Sequence, residues 1–371
     1  MLNYKIDTLI LKVVAPCNLS CSYCYEYNMG DDSWKKKPKK ISEEIINNIA
    51  RKVNTYCNEN DIIEFTITLH GGEPLLLSTK ELNNIFSIFT KEIKVDILRF
   101  GMQTNATLFN KEKIDIINNF NVNVGISIDG DKYANKFRVD LKGREVFEKI
   151  VHGVNLAKTY IKNFSGFLTV VNLNSEPEKT LKFLLKFKPY QIDLLPPFGN
   201  YSNPPYLTNA KYSYSEWMIK AFDFWSSNEE YAKTKIRYLE DALYSIVNGE
   251  SRSDWFGLKP PGYLIINTKG DIEGLDTLKV ANSGRETGLN IIQNTIDQAL
   301  QSEEIINRSK LYQGLPNICK KCDIVEWCAG GYYPTRYSKK KGFNNPSFYC
   351  EDLKILFSHL SKWITKQKSI Q

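Results

Sequence analysis

Cys17, Cys21 and Cys24 stand in the run Ala15-Pro16-Cys17-Asn18-Leu19-Ser20-Cys21-Ser22-Tyr23-Cys24-Tyr25. The spacing is C-x3-C-x2-C, directly after the apolar stretch Thr8 to Val14. Three thiolates on one short loop can hold three irons of a [4Fe–4S] cube. The fourth iron then lacks a protein ligand. An open iron is where a small molecule can coordinate and receive an electron. Zinc more often sits in a closed tetrahedron, and no fourth ligand is local here. Three unrelated core cysteines would not gather on one Pro/Asn/Ser loop.

A second set follows near the C-terminus, Cys319-x2-Cys322-x5-Cys328 with Cys350 downstream. Four thiolates make a closed site, either Zn(Cys)4 or a fully ligated [4Fe–4S] cluster. Spacing alone favours zinc. Cys57 stands apart and reads as a core residue on the first helix. His70, His152 and His359 are too dispersed for a histidine-based site.

The elements that must position these groups alternate along the first half. Apolar, β-branched runs at Leu9–Val14, Ile62–Leu69, Asp96–Gln103, Asn123–Ile128, Phe167–Val171 and Gln191–Leu195 predict strands. Helical periods fall between them at Ser42–Tyr56, Thr79–Lys91, Lys111–Asn119, Glu145–Tyr160 and Pro177–Lys186, with Ser42 and Ser78 or Thr79 as N-caps. Six strands alternating with helices predict an α/β fold of parallel βαβ units, an open sheet or partial barrel. Working residues in such folds lie at the carboxyl ends of the strands. The cysteine loop, His70-Gly71-Gly72-Glu73-Pro74, Thr104-Asn105 and Asp129-Gly130 all fall there. Pro196 to Asn209 reads as a linker or substrate-facing loop. Helices near Tyr214–Ser226 and Lys235–Val247 come next, then a hairpin around Lys269-Gly270.

A chain of 371 residues has room for two or three domains. Hydrophobic content of 42% and charged content of 25% place it among ordinary globular proteins. No stretch reaches the ~18 apolar residues of a membrane span. Eight cysteines without an export signal point to a reducing, cytoplasmic setting and to metal rather than disulfides. The net charge of +7 includes one dense run, Lys35 to Lys40, read as a solvated loop. No aromatic-interleaved basic stripe supports a nucleic-acid role.

The C-x3-C-x2-C run resembles the signature of radical S-adenosylmethionine (radical SAM) enzymes, and further segments match in order. Gly71-Gly72-Glu73-Pro74 resembles the family's GGEP motif, which contacts the methionine amino group. Gln103-Thr104-Asn105 resembles its QTNG strand end, with Ala106 in place of glycine. Gly125-Ile126-Ser127-Ile128-Asp129-Gly130 resembles its GxSxDG. The resemblance implies a partial (β/α)6 TIM barrel and a cluster on Cys17, Cys21 and Cys24. It implies S-adenosylmethionine contacts from Gly71, Gly72, Glu73, Pro74, Asn105, Ser127 (ribose), Arg138 (carboxylate) and the Tyr25 backbone (adenine). The segment before Arg138 reads Ala134-Asn135-Lys136-Phe137, where the family usually has His-Asp.

The second cysteine set resembles the C-terminal SPASM or twitch-like iron–sulfur domain of radical SAM peptide maturases, which turns the balance from zinc to iron. Leu275 and Tyr332 stand where that domain has ligands of a first auxiliary cluster. The resemblance therefore implies one auxiliary [4Fe–4S] cluster, on Cys319, Cys322, Cys328 and Cys350. Asp276 matches an aspartate that serves the sulfatase-maturing branch as a base, and Glu273 is a weaker candidate on the same hairpin. The implied domains are a barrel over 1–210, a helical bridge over 211–250 and a SPASM-like domain over 251–371.

Segments such as Glu250-Ser251-Arg252-Ser253 and Thr287-Gly288-Leu289 resemble the maturases that form three-residue cyclophanes in ribosomal peptides. The implied chemistry starts with one electron from a flavodoxin or ferredoxin. A 5′-deoxyadenosyl radical then takes a β-hydrogen from the precursor peptide, and the carbon radical attacks an aromatic ring. Tyr201, Tyr206 and Tyr332 are candidates to line a peptide groove. With 16 residues before Cys17, leader recognition is expected from the body of the chain or from another protein. Other radical modifications (epimerisation, thioether formation, formylglycine formation on a sulfatase) stay open, as does a non-catalytic zinc-binding scaffold.

Overall fold

The structure is a computed structural model that describes residues 5–205, 210–281 and 286–369. Among the described residues ten strands run in chain order: β1 (Thr8–Val14), β2 (Glu64–Gly71), β3 (Ile97–Thr104), β4 (Asn123–Ser127), β5 (Phe164–Val170), β6 (Gln191–Leu195), β7 (Lys235–Ile236), β8 (Tyr263–Ile266), β9 (Asp271–Glu273) and β10 (Glu286–Asn290). The longer helices of the first half are α1 (Glu43–Glu59), α2 (Thr79–Glu92), α3 (Lys111–Asn119), α4 (Phe147–Tyr160) and α5 (Pro177–Leu185), followed by α6 (Tyr214–Ser226). The six expected βα alternations are present, most within two or three residues of the predicted bounds.

The chain divides into two compact units. The first takes the residues up to Ser127, Phe137–Gly166 and Gly262–Asn307. Its strands lie in the order β10-β9-β8-β1-β2-β3-β4. From β8 to β4 they are parallel, while β9 and β10 fold back antiparallel. The row is open at β10, so it is a partial barrel wall rather than a closed ring. β1 has the burial of a parallel strand covered on both faces, with Leu9, Leu11, Val13 and Val14 in the core. Helix α1 starts at Ser42, whose side chain accepts from the Ile45 N–H, and buries Ile45, Ile46, Ile49, Ala50 and Val53 on one face. α2 begins with a Ser78–Glu81 capping box and packs on α1 and α3.

The predicted hairpin at Lys269-Gly270 is β8–β9, with Gly270 at φ 84° in its turn. Its first strand pairs with β1 from Thr8↔Tyr263 to Leu11↔Ile266. This pairing fixes where Glu273 and Asp276 sit, because Glu273 ends β9 and Asp276 comes shortly after it.

The second unit takes Ile128–Lys136, Phe167–Pro261 and the residues from Arg308 onward. β6 pairs with β7, and α6 packs on α5 and on the C-terminal helix Cys350–Lys368. Its core is aromatic: Tyr214, Trp217, Phe222, Tyr238, Phe256 and Phe357 are all buried. The first residues of the stretch expected as a linker or substrate-facing loop belong to this core. Pro196 to Asn200 is buried, Phe198 stacks on Trp255 with centroids 6.3 Å apart, and the Tyr349 hydroxyl donates to the Pro197 carbonyl. Its Pro and aromatic content pack rather than flex. Among the described residues no helix is long and apolar enough to cross a membrane.

Candidate active site

β1 delivers the chain into the Cys17–Cys24 loop, and two backbone neighbours fix the loop's path. Ser20 N–H donates to Val139 O at 2.8 Å and Ser22 N–H to Phe137 O at 3.2 Å. Within the loop, Cys24 N–H donates to Cys21 O at 3.0 Å. The second neighbour is the turn after β2. Gly72 N–H donates to Val14 O at 2.7 Å, and Glu73 N–H to Pro16 O at 3.2 Å. A β-carbon on Gly72 would stand 1.9 Å from Pro16 O, and one on Gly71 (φ 125°) would stand 2.3 Å from Val14 O. Only glycine lets the two loops touch in this way.

The three thiols form one electrostatic set. Burial pushes Cys24 up to about 12, and Cys21 adds to the rise. Burial likewise raises Cys17, helped by Glu73 and the other two cysteines. Three thiolates gathered in such a place repel one another unless a cationic core joins them. Leu19 N–H reaches the Cys17 sulfur at 3.4 Å and Asn105 Nδ2 reaches it at 3.8 Å, the kind of N–H···S contact that surrounds iron–sulfur ligands. These residues fit an iron–sulfur cube. Among the described residues no three His, Cys, Asp or Glu side chains converge on a point as a single ion requires. A cube asks for less, since each thiolate binds its own iron.

The motif residues around the loop are tied to each other. Glu73 is 1% exposed. Its carboxylate accepts from Thr104 Oγ1 (2.6 Å), Asn105 N–H (2.8 Å) and Leu75 N–H (3.0 Å), which clamps the β2 turn to the end of β3. Asn105 in turn bonds Asn18 at 2.9 Å. Ala106, at the glycine position of the motif, holds φ 63° and is buried. It pays the left-handed strain that glycine avoids. Ser127 ends β4 and accepts from Gln103 Nε2 at 2.8 Å. Arg138 is buried, with its guanidinium 5.6 Å from the Tyr23 ring centroid. Pro74 opens a short helical turn after Glu73.

Beside the loop lies a buried cluster of charges. Lys12, 4% exposed in the middle of β1, sends its ammonium to Glu26 (3.0 Å), Glu273 (3.5 Å) and Asp276 (3.7 Å). Lys279, fully buried, pairs with the other oxygen of Glu26, and Lys37 pairs with Glu273. Burial works against Lys12, Glu26 and Glu273, yet their pairs outweigh it, whereas burial and the neighbouring Lys12 keep Lys279 below the ordinary lysine range. Lys12 stays above the ordinary lysine range because of Glu26, Glu273 and Asp276. Lys12 and Lys37 hold Glu273 at about 2. Asp276 Oδ2 also accepts from the Tyr25 hydroxyl at 2.8 Å. Its Oδ1 has no hydrogen bond among the described residues.

Both expected base candidates therefore sit in one cluster, but they differ. Glu273 is enclosed by two ammonium groups and Asn267. Asp276 is held through Oδ2 by the Tyr25 hydroxyl and the Lys12 ammonium. Sequence reasoning missed Lys12, Glu26, Lys37 and Lys279. A lone lysine in the otherwise apolar Leu9–Val14 run was the available signal, because a doubly covered strand buries lysine only when it is paired. Lys37 belongs to the run read as a solvated loop. Lys35 and Lys36 are exposed as expected, whereas Lys37 turns inward to Glu273. His70, opposite Lys12 in the β1–β2 register, faces the same cluster, and burial lowers its pKa.

The second cysteine set lies wholly in the second unit. Cys319 and Cys328 are buried, and Cys350 starts the last helix. Ala329, Gly330 and Gly331 all have positive φ, so the chain turns sharply after Cys328, and Ser347 N–H closes on Gly330 O at 3.0 Å. Burial pushes Cys328 up to about 12, with Cys350 and Cys319 as charged neighbours. Tyr332 is buried against Trp255, centroids 4.1 Å apart, and is a packing residue. Tyr206 lies outside the described residues.

Residues 12–184 match the model of the Radical SAM superfamily. Over 368 residues the chain is 25% identical to a cysteine-type anaerobic sulfatase-maturating enzyme of Clostridium perfringens, covering 95% of this chain and 96% of that protein. Its fold superposes on native anSMEcpe with bound AdoMet and Cp18Cys peptide, with TM-score 0.80 and 22% identity over 98% of this chain and 99% of that one. Streptococcus suis SuiB bound to its precursor peptide SuiA is more distant, with TM-score 0.63 and 16% identity over 94% and 76% of the two chains. The sequence match to the Radical SAM superfamily thus lies in residues 12–184, and the chain has the fold of a structure solved with bound AdoMet.

Proposed function

We propose that this chain is a peptide maturase that joins an aromatic ring carbon to the β-carbon of a residue two positions away in a ribosomal precursor peptide. The observation that carries the reading is Asp276. It is 8% exposed, anchored through Oδ2 by Tyr25 and Lys12, and open at Oδ1. Tyr25 directly follows Cys24, so this carboxylate is tied to the loop that would hold the catalytic cluster. That cluster and S-adenosylmethionine, when bound, supply the hydrogen-abstracting radical chemistry. Cys17, Cys21 and Cys24 would hold the cluster. Gly71 to Pro74, Asn105, Ser127, Arg138 and the Tyr25 backbone would hold S-adenosylmethionine. Asp276 takes up the proton that the attacked ring must lose to regain aromaticity, and the electron lost with it would pass to the auxiliary cluster that Cys319, Cys322, Cys328 and Cys350 would hold. The Lys12 ammonium, 3.7 Å away, helps to hold the carboxylate in place.

A peptide substrate is supported by the bound peptides of anSMEcpe and SuiB. The Cys319, Cys322, Cys328 and Cys350 set is read as one auxiliary [4Fe–4S] cluster, and the electron donor as a flavodoxin or ferredoxin. Similarity to the sulfatase-maturating enzyme favours a second reading, formylglycine formation. The crosslinking reading is preferred because Leu275 and Tyr332 fill two ligand positions of a first auxiliary cluster with buried, packed side chains.

The test is mass spectrometry of precursor peptide incubated anaerobically with the reconstituted chain, S-adenosylmethionine and a reductant. Loss of two hydrogens per modified ring, with no aldehyde trapped by a hydrazide, is expected. A trapped aldehyde establishes formylglycine instead. Unchanged mass with deuterium uptake from heavy water establishes epimerisation.

A further inference from the structure

The second cysteine set has a buried cation beside it that nothing else in the fold explains. Arg336 is 6% exposed and ends the helical turn Tyr333–Arg336. Its Nη2 donates to Gly314 O at 2.9 Å, and its guanidinium lies 5.3 Å from the Tyr333 ring centroid. Its Nε is buried without a hydrogen-bond partner. Among the described residues no carboxylate pairs with it. An unpaired buried guanidinium is costly, so an anion is missing from the account.

The sulfurs are the candidates. A β-carbon built on Gly330 would lie 3.5 Å from Cys319 Sγ and 3.8 Å from Arg336 Cζ, so thiol and guanidinium flank the same glycine. Cys319 and Cys328 are both among the charges that Arg336 feels. Four cysteinates around a dicationic cube sum to a dianion, and one-electron reduction adds a further negative charge. A nearby cation stabilises the more negative state more and raises the reduction potential.

We propose that Arg336 is the counter-ion of the Cys319, Cys322, Cys328 and Cys350 centre and that it sets that centre's reduction potential. Arg336 acts through the cluster as a positioning residue. The inference rests on the auxiliary-cluster part of the proposed function.

The test uses the full chain with Cys17, Cys21 and Cys24 all replaced by alanine, so that any remaining cluster signal belongs to the second set. Iron content and the midpoint potential, followed by electron paramagnetic resonance, are compared for this background and for added Arg336→Gln and Arg336→Lys. The background is expected to hold about four irons. Arg336→Gln is expected to shift the potential to more negative values at unchanged iron content. Arg336→Lys keeps the charge but loses the fixed N–H fork, and is expected to shift it less. Zinc or no metal in the background sinks the auxiliary cluster and this inference together. Four irons with an unmoved potential in both variants sinks this inference alone. If the Gln variant is insoluble, Arg336→Met, which also removes the charge, decides: a negative shift at unchanged iron content supports the inference, and an unmoved potential overturns it.

Discussion

The Tyr25 hydroxyl donates to Asp276 Oδ2 at 2.8 Å across 251 positions of sequence. One residue follows the last cysteine of the radical SAM loop, and the other follows the β8–β9 hairpin. The bond couples the loop proposed to hold the cluster to the carboxylate proposed as base. It exists because β8 pairs with β1, which carries Lys12 to the same place.

Asp276→Asn keeps the shape of the side chain and removes its charge. S-adenosylmethionine cleavage should persist, while crosslinked peptide falls by about 100-fold or more, the usual worth of a positioned base. Cys24→Ala should instead abolish cleavage itself. Quantifying 5′-deoxyadenosine and product in the same reactions separates the two. Full product yield from Asp276→Asn removes it from the mechanism.

Gly72→Ala should disable the cluster loop without unfolding the chain. Its β-carbon would meet the Pro16 carbonyl and the Tyr27 hydroxyl, so the turn must withdraw from the cysteine loop. Iron retained after anaerobic reconstitution should fall by roughly half if only the first cluster is lost, given two clusters of four irons. Unchanged iron content and cleavage rate in this variant would show that the close contact is dispensable.

The buried charge cluster predicts acid sensitivity. Glu273 is held at about 2 in the folded chain, below its ordinary value of 4.5. Between those values the unfolded state binds more protons, so stability falls as the pH drops through that window. The coupling is worth about 3 kcal/mol at neutral pH, at 1.36 kcal/mol per unit. Unfolding monitored from pH 6 down to pH 3 should show this loss in the parent chain and a flatter profile in Glu273→Gln. Parallel profiles would mean that the Lys12 and Lys37 pairs do not set the dependence.

The parts of this architecture that were legible in sequence are those with local causes. Alternating apolar runs and helical periods marked β1 to β6 and α1 to α5, since each buries its own face. The two cysteine sets were visible because ligand spacing is short. Long-range electrostatics was not visible. Lys12, Glu26 and Lys279 are ordinary residues in sequence and become a cluster only when β8 joins β1. Arg336 likewise carries no local mark, and its buried position beside Cys319 comes from the turn through Gly330 and Gly331. The Pro-rich stretch from Pro196 is irregular where it is described, as its local signals say, but Trp255 and Tyr349 hold its first residues in the core, which no local signal marks.

Cys57 supplies the last discriminating variant. An epimerase must return a hydrogen atom to the substrate radical, and Cys57 is the one cysteine outside both sets. It is buried in α1, and burial alone pushes its thiol up to about 11. A hydrogen donor has to meet the substrate carbon, which a core position on this helix does not do. Cys57→Ala should therefore leave product yield and product stereochemistry unchanged, at a stability cost of about 1 kcal/mol, as expected for one small buried group. Loss of product at intact S-adenosylmethionine cleavage would move the reaction class from crosslinking to epimerisation.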